Sequence, residues 1–194
     1  MNTKGLLSMV VVIVGGLLLS ACRLPGMIPL DREPAEPSGP MPTMETDPDA
    51  VIEALRAGEF VYLQSLAEER YTEEDYAKPG RLTFTVNITD QEQPTYFNYG
   101  WCTTTEEILQ QNFEHINVRL TFEGQELGND VVHAITSTRQ DGMVCLEFGV
   151  LMSDWVPGEY QLEAIATFDE EINDGIADFE AGDYIFEYDV TVKE

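Results

Sequence analysis

Beyond residue 80 the chain alternates between apolar and polar positions. Leu82, Phe84, Val86 and Ile88 are separated by Thr83, Thr85 and Asn87, the period of two that sets one strand face against a core. Ile116, Val118, Leu120 and Phe122 repeat it, and strand-like runs occupy 96–102, 131–138, 143–151, 160–168 and 184–192. Asp141-Gly142 joins two of these runs as a hairpin signal, and Glu123-Gly124 turns the chain after another. Within this pattern Thr103-Thr104-Thr105-Glu106 offers a helix cap, with Ile108, Leu109 and Phe113 on one face of a short inserted helix.

Ahead of the strands the period is helical. Asp47-Pro48 supplies a capping side chain and a proline at the first helical position; Val51, Ile52 and Leu55 share a face, and Gly58 can end the helix. Phe60, Leu63, Leu66 and Ala67 suggest a second short helix, Thr72–Asp75 a capping box, and Pro79-Gly80 a stop. The expected organisation is a helical prelude over 49–80 and a β domain over 81–194.

About seven short strands at near-regular spacing, with antiparallel hairpins and a pair of cysteines, point to a β-sandwich. Pro157-Gly158-Glu159-Tyr160 recurs as Ala181-Gly182-Asp183-Tyr184, each copy followed by a Thr seven residues after its Tyr. A glycine turn leading to a tyrosine at a strand start resembles the strand entries of bacterial immunoglobulin-like domains. That resemblance implies an immunoglobulin-like antiparallel sandwich, with the tyrosines at its corners. Gly100-Trp101-Cys102 and 157–160 also make 81–194 similar to exported bacterial lipoproteins to which no activity is attached.

At the N-terminus, Lys4 precedes a 14-residue apolar stretch over 6–19, long enough for a signal core and short for a membrane span. Leu19 is too large for an ordinary signal-peptidase site three residues before the cut. Leu19-Ser20-Ala21-Cys22 resembles a lipobox, which implies a signal peptide over 1–21 and acylation of Cys22; several acyl chains hold a protein on a membrane where one does not. Residues 23–48 contain seven of the ten prolines and few large apolar side chains. Together with Cys22 they form the expected tether over 22–48, reaching on the order of 80 Å if polyproline-like. The expected location is extracytoplasmic, on the cell surface or outer membrane.

Charge narrows the partners. Thirty-six Asp and Glu face ten Lys and Arg, a formal −26, and loss of Lys4 with the signal leaves −27. That field repels phosphate backbones, so no nucleic-acid partner is expected. With Cys22 lipidated, Cys102 and Cys145 are an even pair in an exported chain, the setting in which a disulfide persists.

Catalytic patterns are sparse. There is no Gly-x-Ser-x-Gly or Ser-x-x-Lys, and His115 and His133 lack the spacing of a zinc site. No catalytic residue is assigned and an enzyme is not expected; an extracytoplasmic hydrolase using paired carboxylates is the alternative, decided by carboxylate separation across a cleft. Phe97, Tyr99 and Trp101 share a strand face, either core or a sugar platform. The acidic run 169–183 departs from an EF-hand, but Asp169, Glu171, Asn173, Asp174 and Asp178 bear the oxygens calcium takes. The other reading of this run is a solvated acidic loop, and no cofactor is expected unless calcium binds there. The function expected is that of a membrane-anchored binding or structural module, with a protein or glycan ligand at the cell surface, or a calcium-binding surface domain.

Overall fold

The computed structural model describes residues 40–194; the apolar stretch, Cys22 and most of the tether lie outside the described residues. The chain runs β1 (Thr43–Met44), α1 (Pro48–Ala57), β2 (Val61–Tyr62), a 3-10 turn (Leu63–Leu66), α2 (Glu73–Tyr76), β3 (Gly80–Ile88) and β4 (Thr95–Thr103). It continues through α3 (Glu106–Asn112), β5 (Ile116–Phe122), β6 (Gln125–Glu126), β7 (His133–Thr138), β8 (Val144–Ser153) and β9 (Gly158–Phe168). β10 (Ile172–Asn173), β11 (Asp178–Phe179) and β12 (Gly182–Val192) complete it.

The protein is mostly β, as the alternation requires. One five-stranded sheet is ordered β3-β12-β9-β5-β6. The other is ordered β1-β8-β4-β2, with β7 also beside β8; β10 and β11 form a separate hairpin. Inward side chains of both sheets meet in one core, where Phe84 stacks on Tyr188 at 4.9 Å and Phe97 meets the same ring edge-on at 5.7 Å. Trp155 donates its indole N–H to Thr95 Oγ1 at 2.9 Å, both buried, so this polar pair sits in the core without an orphaned donor.

Three expectations change. Twelve strands occur among the described residues, not about seven. The long ones are the seven that alternation marks; the other five are two-residue pairings, too short to show a period. The sheets are mixed, because β3 runs parallel to β12 and β2 parallel to β4. Hairpin signals reveal only antiparallel neighbours, and these partners are joined through long stretches of chain. The region 49–80 is also not wholly helical: β2 joins a sheet, and Leu63 and Ala67 are core residues.

Local signals elsewhere carry through. Asp47 accepts the Asp49 N–H at 3.0 Å, Pro48 opens α1, and Gly58 closes it at φ 71°, a left-handed geometry open to glycine at little cost. Burying Val51 of α1 against Tyr96 and Leu151 contributes roughly 1.5 kcal/mol, and this contact holds the helix on the outer face of the β4/β8 sheet. The repeated glycine–tyrosine segment makes the same hydrogen bond twice. Tyr160 donates to the Val156 carbonyl at 2.8 Å and Tyr184 to the Glu180 carbonyl at 2.9 Å, each four residues back. Cys102 and Cys145 form a disulfide between directly opposed residues of β4 and β8, Cα to Cα 4.0 Å. The bond staples one sheet internally.

Candidate functional site

The two sheets end side by side at β3 and β4, and these edges are treated differently. At the edge of β3, the Glu68 N–H donates to the Thr85 carbonyl and Glu69 accepts from the Thr85 N–H at 2.6 Å. The Tyr71 hydroxyl donates to the Thr83 carbonyl at 2.7 Å. Glu68, Glu69 and Tyr71 thus occupy the outward backbone groups of Thr83 and Thr85 in the middle of this edge, the usual protection against stray pairing. Along β4, β2 pairs only at Thr95 and Tyr96 before the chain leaves as the 3-10 turn. At the far end the Thr104 N–H donates to the Asp174 carbonyl at 2.9 Å.

Between them β4 is open. The short Cα separation of Cys102 and Cys145 marks a pair without mutual backbone bonds, and such pairs alternate. The backbone groups of Asn98, Gly100 and Cys102 therefore point away from β8, and among the described residues no strand meets them.

A cleft of about 710 Å³ follows this open edge. Its wall is the 62–76 segment and its floor is aromatic core. Tyr99 lies 5.9 Å from Phe186, Phe186 stacks on Tyr76 at 6.0 Å, and Tyr71 meets Phe84 at 5.1 Å. Tyr62, 44% exposed, stands at the mouth. Gln64 donates to the Tyr76 hydroxyl at 2.7 Å, fixing the wall.

Glu147 gives the cleft its charge. It sits opposite Gly100, and a Cβ at Gly100 would come within 3.1 Å of Glu147 Cγ. The bare glycine leaves the room through which Glu147 lies across β4. Its carboxylate accepts from Asn98 Nδ2 at 3.1 Å and Ser137 Oγ at 3.5 Å. Burial pushes its pKa up, and those two hydrogen bonds only partly oppose the shift. No Lys, Arg or His forms an ion pair with it among the described residues. Arg70, also lining the cleft, turns its guanidinium to the carbonyls of Ala67 and Glu69. Glu69, the second carboxylate here, has its pKa lowered by the Thr85 N–H and hydroxyl.

The residues singled out in the sequence fall elsewhere or inward. Phe97, Tyr99 and Trp101 face the core: Trp101 packs edge-on to Phe168 at 5.2 Å and Phe179 at 4.7 Å, and only Tyr99 also lines the cleft. They are not a surface sugar platform. His133 Nε2 meets the Glu45 carbonyl at 3.1 Å, a packing role.

Of the five calcium candidates, the β10–β11 hairpin gathers Asn173, Asp174 and Asp178. Asn173 donates to Asp178 at 2.6 Å, and Asp174 Oδ1 accepts the Ile176 and Ala177 N–H groups at 2.7 and 2.8 Å. Gly175 turns there at φ 96° against Thr104. Asp169 meets His115 Nδ1 at 2.9 Å, which holds the imidazole pKa up, and Glu171 lines a separate depression beside that histidine. Among the described residues no three His, Cys, Asp or Glu side chains are grouped to hold a metal ion. No helix among them is long and apolar enough to cross a membrane.

Sequence reasoning missed the cleft. Its residues come from the 62–76 segment, β3, β4, β8 and β12, and none forms a local motif. The one available signal was Gly100 inside a strand, a position that often marks close approach by another group. No protein-family model, curated protein or solved structure matches the chain.

Proposed function

We propose that this chain is a membrane-anchored, cell-surface lipoprotein whose β domain is a non-catalytic binding module, with the cleft beside β4 as its ligand site. Anchoring rests on the lipobox-like Leu19-Ser20-Ala21-Cys22. An immunoglobulin-like sandwich is the favoured topology, supported by the β3-β12-β9-β5 order, the opposing β7-β8-β4 order and the paired tyrosine corners. The observation that carries the binding reading is the open stretch Asn98–Cys102 opening onto an aromatic cleft, while the β3 edge beside it is capped. Edges left bare are the exception in natural sheets, and aromatic concavities with a few polar groups are where ligands bind.

The test is binding of the immobilised full chain to a panel of soluble oligosaccharides and extended peptides, beside a Tyr62→Ala/Tyr76→Ala variant of unchanged circular dichroism. Ligands retained by the wild type and lost by the variant are expected. Identical profiles for both proteins would remove the cleft as the site.

A second reading has one observation behind it: Glu69 and Glu147 line one cleft with acidities displaced in opposite directions, the arrangement paired-carboxylate hydrolases use. Turnover of aryl glycosides by the wild type, lost in both Glu69→Gln and Glu147→Gln, would establish it over the binding module.

A further inference from the structure

Resting on that reading of the cleft, we infer that its ligand is an organic cation, an ammonium or guanidinium group on an apolar body, with Glu147 as counter-ion. Glu147 is half-buried with two neutral hydrogen-bond donors and no cationic partner. A carboxylate held away from water is costly unless a positive charge or strong donors compensate it, so the site is electrostatically incomplete. Tyr62 and Glu147 line the same cleft, and burial first, then the Glu147 charge, raises the pKa values of Tyr62 and Tyr96, so aromatic rings and the carboxylate share one environment. Aromatic rings with an anion beside them are the chemistry that holds organic cations, the cation lying over a ring face. The net charge of −26 draws cations toward the surface from a distance.

The other charges fit. Arg70 is turned to backbone carbonyls beside Tyr76, and Glu69 is bound to Thr85, which leaves Glu147 as the carboxylate without strong partners. The floor, made of Tyr99, Phe186 and Tyr188, suits the apolar body of such a ligand. The cation can arrive as a free amine or guanidine, or as a basic side chain of an extended peptide whose backbone pairs with Asn98 and Gly100.

The experiment is isothermal titration of the full chain with N-acetyl-arginine amide and with N-acetyl-citrulline amide, which keeps the shape and lacks the charge. The arginine compound is expected to bind at least about tenfold more tightly, the scale of a charge-assisted hydrogen bond. In Glu147→Gln the ratio should fall to near one. Tyr62→Ala should weaken the arginine compound more than the citrulline compound, and gives a second measure should Glu147→Gln misfold. A five-residue peptide, acetyl-Thr-Val-Arg-Thr-Val-amide, separates the sources: tighter binding than the single residue identifies a strand, equal binding a free cation. Equal affinities for arginine and citrulline forms would overturn the cation and leave the cleft as a neutral-ligand site. A preference that survives in Glu147→Gln would overturn the role of Glu147. No binding of either compound would overturn the inference, while the panel of oligosaccharides and peptides still decides the cleft.

Discussion

The ring of Tyr96 lies across the backbone of Gly149 on the neighbouring strand. A methyl carbon at 149 would fall 2.6 Å from Tyr96 Cε2 and closer still to Cζ and the hydroxyl, on a ring with no exposed surface. Gly149→Ala is therefore expected to cost about 1–3 kcal/mol through overpacking. The Tyr96 hydroxyl is buried without a hydrogen-bond partner among the described residues, so Tyr96→Phe should stabilise by about 1 kcal/mol. Urea unfolding of both variants reads this directly; an unchanged midpoint in Gly149→Ala would contradict the packing.

The Cys102–Cys145 bond joins strands already paired, yet their sequence separation of 43 means a long loop is closed in the unfolded chain. Cys102→Ser/Cys145→Ser should lose roughly 4 kcal/mol in the chain-entropy model. Thiol labelling of unreduced, unfolded protein should find neither cysteine free. If the double variant unfolds at the wild-type urea midpoint, the bond has no part in stability.

Glu147 links stability to pH with a definite sign. Its folded pKa lies above the ordinary 4.5, so folding favours the protonated form. That contribution is full below the unfolded pKa and is lost as pH rises through the folded value. Glu147→Gln should be more stable than the wild type at pH 7, with the difference vanishing below about pH 4. Thermal melts across that range check it, and a neutral-pH loss of stability in the variant would refute the sign. A variant that gains stability while losing a charged ligand would show a site kept at some cost to the fold.

The acidic hairpin makes a separate case. With Asp174 and Asp178 oxygens accepting hydrogen bonds within their own turn, we expect equal melting midpoints in calcium, magnesium and chelator at fixed ionic strength. A resident ion at 100 times its dissociation constant would add about 2.7 kcal/mol, well within detection. A calcium-specific rise that disappears in Asp174→Asn would show a site.

For the anchor, labelled fatty acid fed to expressing cells should enter the wild type and not Cys22→Ala. An unmodified intact mass beginning at Met1 would reject lipidation.

Read alone, the residues determine the secondary structure where physics is local. Asp47, Pro48 and Gly58 act within one helix, Leu82 to Ile88 alternate within one strand, and Asp141-Gly142 turns within four residues. Strand identity and the hairpin partners follow, and the two tyrosine corners are legible because each closes on a carbonyl four residues back. Tertiary structure decides what depends on distant neighbours. The parallel pairing of β3 with β12, the capped edge of one sheet and the bare edge of the other are set by where 61–76 crosses between sheets. Alternation says that Phe97, Tyr99 and Trp101 share a face and is silent on whether another sheet covers it. Glu147 is one of many acids in the sequence. It becomes distinctive only because Gly100, 47 positions away, leaves room for it beside a cleft. A pattern of residue types encodes which side a residue faces; the cost of its burial depends on what arrives from elsewhere in the chain.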